Sequence, residues 1–139
     1  MTVGELSGLG AIHADDALTR GAYELFEVRM PKGFGPPLHI HQGREEGFYV
    51  VSGRFMIVCE DQEVETGPAE FVMVPRGSRH RFEALTDDAR LVFIVSPPGL
   101  EGFFRDGARL RASGRPDMEV RTELANRYDS YTVSDREAQ

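Results

Sequence analysis

The feature that most constrains this chain is a train of short, β-rich apolar runs. They cover approximately residues 22–30, 38–42, 46–52, 54–60, 62–65, 70–74, 80–85 and 90–96, and Gly, Pro and Asp separate them. Phe26, Val28 and Met30 alternate with Glu27 and Arg29, as a half-buried strand requires. Phe55, Ile57 and Cys59 share one face of their run and Met56 and Val58 the other, which predicts a strand covered on both sides. Runs repeating every ~8–12 residues with turn signals between them indicate a β-sandwich or barrel. The 15 Gly and 8 Pro are a surplus that fits many tight turns and argues against a helical bundle.

The pattern changes after residue 96. Pro97-Pro98-Gly99 stops the last strand, and Leu100, Phe103 and Phe104 then fall on one face of a short helix. A polar stretch, 106–116, follows it. Residues 117–127 read as a second helix with Val120, Leu124 and Tyr128 along one stripe and Asp117 as candidate N-cap. The expected organisation is a β-domain over residues 1–100, including N-terminal strands, and a helical extension over 101–139 that packs on it.

Charge and cysteine content exclude several function classes. The formal net charge is −7, which argues against a surface built to neutralise nucleic-acid phosphates. No helix-turn-helix pattern accompanies the strands. The single cysteine, Cys59, cannot pair within the chain and is expected to be a small core hydrophobe, with Met56, Phe71 and Met73 as ordinary core. The longest purely apolar runs fall far short of the ~18 residues of a membrane span, and the N-terminus lacks a secretory pattern. The expected setting is a soluble, cytoplasmic one, with a small-molecule substrate and neither nucleic acid nor membrane as partner.

The chemistry gathers on the histidines, of which there are four. His39 and His41 stand at i and i+2, which on a strand places both imidazoles on one face about 7 Å apart. A turn at 42–44 returns a carboxylate from Glu45 or Glu46 to that face. The pattern favours Glu46, because its alternation also carries the apolar Phe48 and Val50 inward. His80 opens another strand after Pro75-Arg76-Gly77-Ser78-Arg79. Three imidazoles and a carboxylate form a mixed nitrogen and oxygen set suited to one divalent first-row metal with coordination positions left open. His13 has no partner at such spacing and reads as structural or surface.

The segment Gly33, His39, His41, Glu46, Gly53 resembles the first cupin motif in every spacing, and Pro75-x-Gly77-x-x-His80 resembles the core of the second. Two positions depart from that pattern: Ala69 stands where the family has Gly, and Ala84 where it has Asn. The runs Phe34-Gly-Pro-Pro-Leu-His-Ile-His and Ser-Pro-Pro-Gly-Leu-Glu-Gly-Phe-Phe look like small single-domain quercetin dioxygenase-like cupins. The resemblance implies an all-β double-stranded β-helix (a jelly-roll barrel), a metal held by His39, His41, Glu46 and His80, and a homodimer in which the N-terminal strand is a candidate for exchange. The metal identity stays open among Fe, Mn, Ni, Co, Cu and Zn. The expected pocket lining is Phe34, Leu38, Phe48, Val50 and Phe82, apolar and without Lys or Arg, which favours an aromatic or polyketide-like substrate. Glu46 doubles as candidate general base. Three activities fit: a metal-dependent dioxygenase, a non-oxidative cyclase, isomerase or dehydratase, and a non-catalytic binding module. Phe103 and Phe104 either pack the extension or cover the barrel mouth.

Overall fold

In the computed structural model, residues 4–7 and 10–133 are described, with side chains from residue 10 onward. The outermost residues of both expected ranges, 1–3 and 134–139, lie outside them. Two antiparallel sheets face one another. One runs in the order β1 (Gly4–Ser7), β2 (Gly10–Ala14), β3 (Glu24–Met30), β10 (Ala89–Ser96), β5 (Glu45–Ser52), β8 (Phe71–Val74). The other runs β11 (Tyr131–Thr132), β4 (His39–Ile40), β9 (His80–Ala84), β6 (Phe55–Cys59), β7 (Gln62–Thr66). This is a jelly roll, and the eight runs read from the sequence correspond to β3 through β10.

The two inner faces meet in an aromatic core. β10 pairs with both β3 and β5, and the register sets Phe93 between Phe26 and Phe48. Phe26 stacks on Phe93 with ring centroids 5.0 Å apart, and Phe82 lies 5.4 Å from Phe48. Phe26, Phe48 and Phe55 are fully buried, each contributing about 1.5–3 kcal/mol by its removal from water. Ala84, in the place of the motif's Asn, is also fully buried, and its backbone pairs with Gly33 and Phe34. At the other departure, Ala69 carries the turn with φ +67°, a left-handed conformation that glycine adopts without strain.

The helical extension is longer than the sequence pattern suggests. α2 (Glu101–Ala112) continues through more than half of the polar stretch 106–116, and α3 (Asp117–Tyr128) follows after a short turn. Pro116, not Asp117, occupies the N-cap of α3; Asp117 is its first helical residue and pairs with arginines instead. Phe103, Val120 and Leu124 make a small core between the helices, and Phe104 bridges it to the main one. Glu24, only 2% exposed, caps the start of α2: its carboxylate accepts from the backbone N–H groups of Gly99, Leu100 and Glu101. A one-turn helix, α1 (Asp16–Thr19), opened by the Asp15 side chain, precedes β3 where the sequence showed no helical period.

Two expected core residues are not core. Phe71 is 54% exposed and Met73 48% exposed. The reason is the register of edge strand β8: Val74 lies inward opposite Glu46, so Phe71 and Met73 face out beside Tyr49 and Gly47. With Ile94 they form an apolar outer patch, and the Phe71 ring lies over Gly47, where no Cβ would fit. Met56 and Cys59 are partly buried, and Cys59 packs against the main core. His13 pairs with Glu27 at 3.0 Å, and Arg90 holds the other oxygen of that carboxylate.

Candidate metal centre

Three strands, with the residue that follows β4, bring His39, His41, Glu46 and His80 together. β4 pairs with β9 so that His39 lies directly opposite His80, and His41 follows two residues later on the same face. Glu46 reaches across from β5, on the inward face it shares with Phe48 and Val50. All four are buried, and one donor atom from each lies within 4.8 Å of the others. The alternation that separated Glu46 from Glu45 has its counterpart here, since Glu45 is partly exposed and pairs with Arg76.

The three imidazoles are held alike. Nδ1 of His39 meets the Pro37 carbonyl at 2.8 Å, that of His41 the Asp129 carbonyl at 2.8 Å, and that of His80 the Ser78 carbonyl at 2.9 Å. A carbonyl oxygen only accepts, so each Nδ1 carries the proton and each Nε2 presents a lone pair. Those lone pairs face the same space as the Glu46 carboxylate, whose Oε1 lies 2.5 Å from His41 Nε2 and 3.1 Å from His80 Nε2. Lone pairs at such distances require a positive centre between them, a proton or a metal ion. The donor set, its burial and its fixed tautomers therefore fit a divalent metal, with main-chain carbonyls orienting the ligands from behind.

The electrostatics agree. Burial opposes charging His41, yet the Glu46 carboxylate outweighs it and raises its pKa. Burial likewise opposes ionisation of Glu46, but hydrogen bonds from His41 and His80 hold the carboxyl far below the usual range. His39 is pushed well down by burial and by its two imidazole neighbours, and so stays neutral. The proton that the raised His41 pKa favours lies between His41 and Glu46, and a metal ion there would displace it, leaving the neutral nitrogen and ionised oxygen that bind metal.

The family profile described as the cupin domain matches residues 26–97, just over half of the chain. The chain belongs to the cupin family. Over 87 residues this cupin is 28% identical to quercetin 2,3-dioxygenase of Bacillus subtilis, a stretch that covers 63% of this chain and 26% of that enzyme. Over 60 residues it is 37% identical to polyketide synthase CurC of Streptomyces cyaneus, covering 42% of this chain and 39% of the relative. It thus spans well under half the length of either protein. Among solved structures it resembles KdgF from Halomonas sp., with a TM-score of 0.59 and 23% identity over 63% of this chain and 76% of that one. The cupin domain of Schizosaccharomyces pombe Cnp3 gives 0.57 and 16%, over 79% of this chain and 73% of that one. At such identities these two likenesses establish the fold alone.

A cavity of about 320 Å³ adjoins three of the four donors, His39, His41 and Glu46. Of the five residues expected to line it, Phe34 and Phe82 do, and Leu38, Phe48 and Val50 do not. Phe48 and Val50 are sealed into the core between the sheets, and Leu38 is held at the sheet edge, where its carbonyl accepts from Val133. The cavity opens instead toward β3 and α2, so Phe26, Val28, Met30 and Phe104 supply its wall. The lining is also not free of cations, because Arg111 and Arg121 from the helices reach it.

Sequence reasoning missed Asp129. Its carbonyl orients His41, and its carboxylate accepts from the N–H groups of Gln42 and Gly43 at 2.8 Å each, fixing the turn that returns Glu46. β11, next to it, pairs with β4. Arg44 ties the same turn to the carbonyls of Pro97 and Pro98 and lies 3.7 Å from the Asp129 carboxylate.

Proposed function

We propose that this cupin is a metal-dependent enzyme that holds one divalent transition metal through His39, His41, Glu46 and His80 and acts on a small, largely apolar, enolisable substrate as a dioxygenase. The observation that carries this reading is the shared orientation of the three imidazoles, each with Nδ1 on a main-chain carbonyl, with Nε2 of His41 and His80 turned to the Glu46 carboxylate. When bound, the metal supplies a Lewis acid with open positions for an oxygen-rich substrate. The chain's own residues do the rest. Phe26, Val28, Met30 and Phe104 exclude water and position an apolar, flat body. Glu46, ionised throughout the neutral range, is placed to take the substrate's acidic proton on a carboxylate oxygen.

A non-oxidative cyclase, isomerase or dehydratase is the second reading, supported by the local similarity to CurC. A binding module is the third. The net charge of −7 and the absence, among the described residues, of a helix long and apolar enough to cross a membrane support a small-molecule partner. A cytoplasmic setting and a homodimer complete the proposal, with the patch of Phe71, Met73, Tyr49 and Ile94 as the face that meets the second copy. The test is oxygen uptake with a flavonol-type substrate after loading with Fe, Mn, Ni or Co, run in air and under argon. Uptake coupled to substrate loss is expected. Turnover without oxygen would favour the second reading, and saturable binding without turnover the third.

A further inference from the structure

Two guanidinium groups share the cavity with His39, His41 and Glu46, and an apolar substrate alone gives them nothing to do. Arg111, near the end of α2, and Arg121, in the second turn of α3, both line it. Asp117 sits between them: its Oδ1 accepts from Arg111 Nε at 2.6 Å and its Oδ2 from Arg121 Nε at 2.8 Å. Each arginine therefore uses its Nε to hold position. Among the described residues, nothing else hydrogen-bonds either guanidinium, so the Nη groups stay open to a ligand.

The surroundings keep both groups at the cavity. The Arg121 guanidinium carbon stands 5.9 Å from the centre of the Phe103 ring, itself part of the wall. Arg111 Nη1 lies against Gly107, one turn earlier, where an added Cβ would come within 2.9 Å of it. Glycine inside a helix costs about 1 kcal/mol relative to alanine, and here its missing side chain leaves room for the guanidinium. Two arginines and one aspartate leave one net positive charge beside an aromatic wall.

We propose that Arg111 and Arg121 form an anion-recognising rim and that the cavity takes an aryl carboxylic acid, its apolar body against Phe26 and Phe104 and its carboxylate on the Nη groups. A planar carboxylate matches the guanidinium fork. Its single charge balances the rim, whereas a phosphate monoester dianion would leave a charge uncompensated beside apolar surface. The assignment rests on reading the cavity as a small-molecule site.

The experiment compares 2-naphthoate with neutral 2-naphthamide by calorimetry. It uses chelator-stripped protein, so that the acid gains nothing from metal coordination. The acid should bind the wild-type protein at least about tenfold more tightly than the amide, a gap of the size that charge-assisted bonds give. Arg111→Gln and Arg121→Gln should each reduce that advantage sharply. Naphthamide, which brings no charge to the rim, should bind both variants as it binds the wild type, so that a loss confined to the acid is not misfolding. Equal affinity for acid and amide, an unchanged advantage of the acid in both arginine variants, or tighter binding of 2-naphthyl phosphate than of naphthoate would overturn the proposal while leaving a small-molecule site in place. Binding of none of these compounds would overturn both.

Discussion

The Glu24 carboxylate ties the helical extension to the barrel, and its removal has a calculable effect. Three backbone N–H groups at the start of α2 donate to it, at 2.8, 2.8 and 3.2 Å. Leu100 is buried, so its N–H finds no water when the carboxylate goes, while Gly99 and Glu101 are partly exposed and can rehydrate. Leaving a buried donor unpaired costs about 1–3 kcal/mol and losing a charged acceptor about 1.5–3 kcal/mol, and relief of the buried charge offsets part of this. Glu24→Ala should therefore lower unfolding free energy by about 3–4 kcal/mol, or about 10–14 °C in Tm for a chain this size. Glu24→Gln keeps the oxygen that serves Gly99 and Leu100 but sets an amide N–H against that of Glu101, and should cost only about 1–1.5 kcal/mol. Urea titration followed by far-ultraviolet circular dichroism measures both. An alanine variant within about 0.5 kcal/mol of wild type, less than one ordinary hydrogen bond, would refute the capping role. Equal losses in the two variants would place the effect in the charge rather than the three bonds.

Other outcomes follow from the site and its turns. Protein purified with its metal should carry close to one divalent ion per chain by elemental analysis, and His39→Ala or His80→Ala should lose it; full retention in both would contradict the ligand assignment. Asp129→Ala, which frees the turn behind His41, should weaken Co(II) binding about tenfold or more, as loss of a group orienting a ligand does, read from the cobalt absorption bands. Ala69→Gly should raise stability by about 0.5 kcal/mol, the relief of left-handed strain less the greater freedom of the unfolded chain; a loss would show that the methyl group packs. Burial opposes ionisation of Asp117, but Arg121 and Arg111 hold its carboxyl below its ordinary 3.8. Its stabilising contribution is thus complete above that pH and disappears as pH falls through the lower folded value. Asp117→Asn should flatten that part of the acid limb in a pH series of urea midpoints.

The barrel was legible because each inner strand repeats an apolar pattern of period two, and the donor set because three side chains with rare chemistry recur at strand and turn spacings. What stayed hidden is carried by the main chain or by choice of face. The acceptors that orient His39, His41 and His80 are carbonyls of Pro37, Asp129 and Ser78, and a carbonyl leaves no mark in residue type. β11 is two residues long, too short for a period to show. In β8 every residue is apolar, so alternation did not distinguish the buried Val74 from the exposed Phe71 and Met73. The cavity wall was misassigned at Phe48 and Val50 because inward-facing was equated with cavity-lining. Which inward residues border open space depends on where α2 crosses the barrel, and Glu24 sets that crossing through a contact 75 to 77 positions along the chain.

The Asp129 carbonyl stands 88 residues downstream of the imidazole it orients. During synthesis His39, His41, Glu46 and His80 all leave the ribosome well before that acceptor does. Until α3 is made and its end returns to β4, His41 is free to swing and to protonate on either nitrogen. A site that needs His41 held in one tautomer would therefore take its ion only once α3 has docked and brought the Asp129 carbonyl to that imidazole.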